Sequence, residues 1–154
     1  MLADFQQALA DLTASPELCI RVRQDPSVLR DTYQLTEREW RRLTAIVTHR
    51  GMECACILYR ANRLAPLAMN VPRTCRALGA DLRDLVSEFW AAHPESNVHF
   101  YIETERFCRF LKAKLDEGRT YAPDVARLLA WETAIITAAL EESYTEGRQS
   151  HEEA

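Results

Sequence analysis

An all-α fold of seven to nine helices is what this 154-residue sequence predicts, and three features carry the prediction. Four glycines and six prolines are too few turn-formers for a meander of short strands. Apolar residues recur three and four positions apart along most of the chain, and Ser, Thr, Asp and Pro stand where helices would begin.

Leu2, Phe5, Leu9 and Leu12 give the first helix one apolar stripe. Ser15-Pro16 is an N-cap and first-position pair for a short helix through Leu18 and Val22, and Asp25-Pro26 restarts the chain through Leu29 in the same way. After a connector at Tyr33-Gln34-Leu35, Thr36 and Glu39 have the spacing of a capping box. The helix that follows carries Trp40, Leu43, Ile46 and Val47. Gly51 is expected to end or bend that helix, residues 52–64 continue it, and Pro66 and Pro72 mark restarts. Residues 71–78 end at Gly79, and Leu82, Leu85, Val86, Phe89 and Trp90 run to His93-Pro94. Val98 to Ile102 is the one segment with strand character, and it suits equally well the approach to a helix over 104–115; we read it as a loop-to-helix junction. Gly118 closes that helix. Pro123 opens the longest one, with Val125, Leu128, Leu129, Ile135, Ile136 and Leu140 expected on one buried face. Residues 1–143 are thus expected to form a single helical domain, with an N-terminal segment over 1–50 and a core segment over 51–143, and 144–154 to be a polar tail.

With 47% hydrophobic and 27% charged residues, the sequence falls outside the disordered and membrane-spanning classes. The start has no basic region followed by an apolar stretch, and the five cysteines are an odd set without a CxxC pair. Both predict a cytoplasmic protein with free thiols. All but two of the 19 basic residues are arginine, which fits either a binding face or the codon bias of a GC-rich genome. The net charge of −4 without a basic run disfavours nucleic acid as a partner.

His49, Glu53 and Cys56 have metal-ligand chemistry at near-helical spacing, but a break at Gly51 would separate them, and Cys54 and Cys56 point to opposite sides of a helix. No nucleophile lies in a Gly-x-Ser-x-Gly turn and there is no phosphate loop, so neither a catalytic nor a metal-binding residue is assigned. The densest polar cluster is Tyr59, Arg60, Asn62 and Arg63, followed by Arg73 and Arg76. It reads either as a groove rim gripping an extended peptide or as a solvated helix face.

The string Tyr59-Arg60-Ala61-Asn62, Leu67, Val71-Pro72, Leu78-Gly79, Leu82, Phe89, His93-Pro94, Ser96, Tyr101, Phe107 and Phe110-Leu111 resembles a small helical family that carries a DNA-binding label. Members of that family are commonly encoded beside multinuclear iron oxidases, and among them are the accessory subunits of such oxidases in ribosomal-peptide pathways of the methanobactin and 3-thiaglutamate types. The resemblance covers about a third of the chain. Residues 25–39 are also similar, over a short stretch, to the small helical subunit of extradiol dioxygenases. The first resemblance implies a non-catalytic subunit without a cofactor of its own. It would bind a precursor or carrier peptide and dock on a TIM-barrel-type partner that holds the iron and oxidises a peptide cysteine; joined to the polar cluster above, it makes Tyr59, Arg60, Asn62, Arg63, Arg73 and Tyr101 the expected peptide- or partner-binding residues. In the thiaglutamate branch that oxidation excises the β-carbon of a C-terminal cysteine. The family label keeps a DNA-binding regulator as the alternative, and the second resemblance a dioxygenase subunit.

Overall fold

Local capping chemistry places the helix starts. In the computed structural model, which describes residues 2–96 and 99–152 and the side chains among them as far as Glu141, nine helices and no strand are found among the described residues. The chain divides into two units, Met1–Asn62 and Arg63–Ala154.

The first unit holds α1 (Leu2–Ala14), α2 (Pro16–Gln24), α3 (Ser27–Thr32), α4 (Glu37–Thr48) and the first part of α5 (Arg50–Asn70). Ser15 Oγ accepts from Leu18 N at 3.1 Å with Pro16 in the first turn of α2, and Asp25 Oδ1 accepts from Ser27 N at 2.9 Å ahead of α3. The capping box at α4 is complete: Glu39 N donates to Thr36 Oγ1 at 3.3 Å, and Thr36 N donates back to Glu39 Oε2 at 2.8 Å. Leu12, Val22, Leu29, Leu43 and Val47 are fully buried at the centre of this unit. Polar ties surround that core. Tyr33 Oη donates to Asp11 at 2.7 Å, Trp40 Nε1 donates to Pro26 O at 2.9 Å, and the Arg30 guanidinium lies 3.9 Å over the Trp40 ring.

The capping box makes the first unit acid-sensitive. Hydrogen bonds from the Thr36 backbone and hydroxyl hold the Glu39 carboxyl below its ordinary 4.5. A depressed carboxylate contributes stability that is present above that ordinary value and is lost as pH falls through the lower, folded one. Chemical denaturation at a series of pH values should show this loss below pH 4.5 in the parent and a flatter acid limb in Glu39→Gln; identical limbs would remove Glu39 from the linkage.

Two breaks expected from single residues lie elsewhere. Gly51 neither ends nor bends a helix: α4 stops at Thr48, and His49, extended at φ −79° and ψ 137°, is the break. Its Nδ1 accepts from Gly51 N at 3.0 Å, so the imidazole caps α5. A Cβ on Gly51, two residues after the cap, would come within 3.1 Å of that Nδ1, so the imidazole would have to shift by a few tenths of an ångström. Pro66 does not restart the chain either, because α5 runs through it to Asn70. Proline removes the amide that would bond Asn62 O, yet Pro66 is buried, and packing holds the helix together without that bond.

The second unit holds the rest of α5, α6 (Pro72–Leu78), α7 (Asp81–Ala92), α8 (Phe100–Asp116) and α9 (Val125–Glu152). Phe89 and Phe107 are fully buried and meet edge to face at 5.5 Å, with Leu67, Leu85 and Leu111 around them. Gly79 at φ +54° ends α6. Gly118 at φ +89° ends α8 in a Schellman turn, with Gly118 N donating to Leu115 O and Arg119 N to Lys114 O, both at 3.0 Å. The segment given strand character is helical from Phe100 onward, with His99 at the N-cap position; Val98 lies outside the described residues.

Two expectations for the last helix are corrected. Its backbone remains helical through Glu152 where a tail begins in the sequence reading. The buried face runs Val125, Leu129, Glu132 and Ile136, whereas Ile135 is 51% exposed: neighbours on a helix stand about 100° apart, so Ile135 and Ile136 do not share a face.

Candidate functional site

The arginine cluster on α5 resolves into residues with different jobs. Arg63 was expected on a peptide-gripping rim, but its side chain is only 4% exposed and pairs with Glu103, 1% exposed, at 2.7 Å. Its Nη2 donates to His93 O at 2.8 Å and its Nη1 approaches Pro94 O at 3.5 Å. One guanidinium fork therefore ties α5 to α8 and to the end of α7. A buried carboxylate on α8 needs a counter-charge, and Arg63 supplies one.

Arg60 lies in the first unit and remains near the surface, its Nη2 donating to both Glu17 oxygens at 2.9 and 3.0 Å. Partial burial opposes ionisation of Glu17, but its own backbone amide and the Arg60 guanidinium outweigh that and hold the carboxyl below the ordinary range. A second surface pair, Arg23 with Glu53 at 3.2 Å, joins α2 to α5 further along, and Arg23 Nε also donates to Val47 O at 3.0 Å. Tyr59 is half-buried and Asn62 exposed.

In the second unit the Arg73 guanidinium lies 4.7 Å over the ring of Trp131, which is 50% exposed, and Ile135 follows one turn later on α9. Tyr101 is 43% exposed in the first turn of α8. The six expected site residues thus fall in two units, Tyr59, Arg60 and Asn62 in one and Arg63, Arg73 and Tyr101 in the other.

Glu132 was missed by the sequence reading. It is 3% exposed, and its two oxygens accept from Arg73 N and Thr74 N at 2.9 Å each, satisfying the first turn of α6 from α9. Glu103 was missed as well. Both carboxylates stand in register with buried apolar residues, Glu103 with Phe107 and Leu111, and Glu132 with Leu129 and Ile136. A charge on an apolar stripe is the signal that would have found them.

His49, Glu53 and Cys56 are each committed elsewhere: His49 caps α5, Glu53 pairs with Arg23, and Cys56 Sγ donates to Leu12 O at 3.4 Å. Among the described residues no group of three or more His, Cys, Asp or Glu converges as metal ligands would. All five cysteines are free, Cys54 exposed and the other four buried. Burial pushes the thiols of Cys19, Cys75 and Cys108 up to about 11; the neighbouring Cys56 adds to the effect at Cys19, and the Glu132 carboxylate adds to it at Cys75 and Cys108. An open depression of about 480 Å³ at the α3–α4 turn is lined by Arg30, Asp31, Tyr33, Gln34 and Glu37, but Arg30 and Glu37 pair with each other and leave little charge for a ligand.

Among the described residues the protein is all-helical, its buried charges serve the fold, and its large exposed side chains include aliphatic, aromatic and arginine residues. Among the described residues no helix is long and apolar enough to cross a membrane. No known protein family, characterised protein or solved structure matches this chain.

Proposed function

We propose that this chain is a non-catalytic accessory subunit that binds a ribosomally made precursor peptide and docks on an iron-dependent oxidase of the TIM-barrel type. The partner carries the iron and oxidises a cysteine of the peptide, in the thiaglutamate branch by excising the β-carbon of a C-terminal cysteine. No cofactor and no catalytic step are assigned to this chain. The reading starts from the resemblance over residues 59–111. One observation supports it: Arg73 stacked on a half-exposed Trp131, with Ile135 a turn away. Tryptophan and arginine are the residues on which protein interfaces concentrate their binding energy. A DNA face would instead call for a strongly basic stripe, and the net charge is −4.

Co-expression with a TIM-barrel-type iron oxidase of the methanobactin or 3-thiaglutamate type tests the reading, followed by size-exclusion of the tagged chain and iron analysis of the eluted complex. A stable heterodimer with all iron in the larger chain is the expected result. A chain that elutes alone and binds DNA in a salt-dependent titration would overturn it in favour of the regulator.

A further inference from the structure

The outer face of the first unit carries an apolar patch framed by ion pairs. Glu17 pairs with Arg60, and Arg23 pairs with Glu53, so α2 and α5 run antiparallel along this face. Ile20 stands midway between Glu17 and Arg23 on α2, and Ile57 stands between Glu53 and Arg60 on α5. The two isoleucines therefore occupy the same stretch of the α2–α5 seam, with one ion pair beyond each end. Beneath them the seam is closed by Cys19 and Cys56, whose sulfurs both donate to Leu12 O at 3.1 and 3.4 Å. Ile20 is 51% and Ile57 68% exposed, and Cys54 and Ala61 extend the stripe on α5 three and four residues from Ile57. An exposed apolar patch with polar pairs at its rim is the anatomy of a binding surface.

We infer that this α2–α5 seam is where the precursor peptide docks, as a short amphipathic helix of low net charge; the inference rests on the accessory-subunit reading. The first unit is all-helical among its described residues and offers no strand edge for an extended peptide to join. A groove between two antiparallel helices instead accepts the apolar ridge of a third. The unit carries eight arginines and eight carboxylate side chains, so it exerts no net pull on a strongly charged ligand. Size argues against a second copy as the occupant. Two partly exposed isoleucine side chains offer roughly 200 Å² of apolar surface, whereas each partner in a stable protein interface buries about 800 Å².

The test uses the full chain and a fluorescein-labelled helical peptide of roughly 16 residues, net neutral, with leucines spaced to form one face. Fluorescence anisotropy should show saturable binding with Kd on the order of 10 µM. Ile57→Glu and Ile20→Glu should each weaken it by about tenfold or more, while Met69→Glu, which alters an exposed residue outside the seam, leaves it unchanged. Each replaced side chain is at least half exposed, so thermal melts should match the parent. Absence of saturation, or equal affinity in the parent and both seam variants, overturns the assignment. So does a concentration-dependent dimer in sedimentation that Ile57→Glu abolishes, which would give the face to a second copy. Partner co-elution is measured on the unaltered chain, so failure of the seam and failure of the accessory-subunit reading register separately.

Discussion

Arg63→Ala is expected to destabilise the second unit by about 3–5 kcal/mol, because it removes the guanidinium that is paired with the buried Glu103 carboxylate. The Glu103 side chain is 1% exposed, so water cannot replace the lost guanidinium without opening the core. The same substitution frees His93 O and Pro94 O, loosening the end of α7. Urea denaturation followed by helix signal measures the total, and hydrogen exchange of amides in α7 and α8 locates it. Arg63→Lys keeps a charge but not the fork, and should recover only part of the loss. The pair Arg63→Met with Glu103→Leu, which removes both charges, should cost far less than either charge deleted alone. Arg60→Ala supplies the contrast: its ion pair lies at the surface, where such pairs contribute roughly 1 kcal/mol or less. A loss below about 1 kcal/mol in Arg63→Ala would mean that the Glu103 site is hydrated.

Glu132→Ala should cost about 2–4 kcal/mol, because two helix-start amides lose a charged acceptor at once. Helix α6 is seven residues long and has Val71 at its N-cap position, so its own sequence offers no side chain to take over. Glu132→Gln retains one carbonyl acceptor and should fall about midway. Thiol chemistry gives an independent readout. Burial and then the Glu132 carboxylate hold the Cys75 thiol at about 11, and Glu132→Ala removes the charge while loosening α6. Titration with a chromogenic disulfide should therefore count one fast thiol in the parent and two in the variant. One fast thiol in both, with unchanged stability, would show that α6 does not depend on Glu132.

What could be read in advance follows from the range of the interactions involved. Ser15-Pro16, the Thr36–Glu39 box and Gly118 act within a few residues of themselves, and the helices they bound stand where the sequence places them. Pro66 and Gly51 mislead because local preference is weighed there against packing and against a histidine cap, neither of which shows as a pattern. Arg63 and Arg60 look alike in sequence. Only the fold distinguishes them, since both partners are distant in sequence, but Glu103 lies in the core on α8 whereas Glu17 stands on the exposed side of α2. On α5 apolar residues occupy almost every side, so no stripe identifies Ile57 and Leu58 as the exposed ones. Their exposure follows from Met52 and Cys56 turning the opposite side of that helix inward.

The uneven exposure of the cysteines gives the protein a ready attachment point. Four thiols are buried, and Cys54 alone faces solvent, on the outer side of α5 with Ile57 and Leu58. A maleimide dye near neutral pH should therefore label the unmodified chain at a single position, without any cysteine having to be removed first. Its emission would then report on whatever comes to rest against that side of the helix.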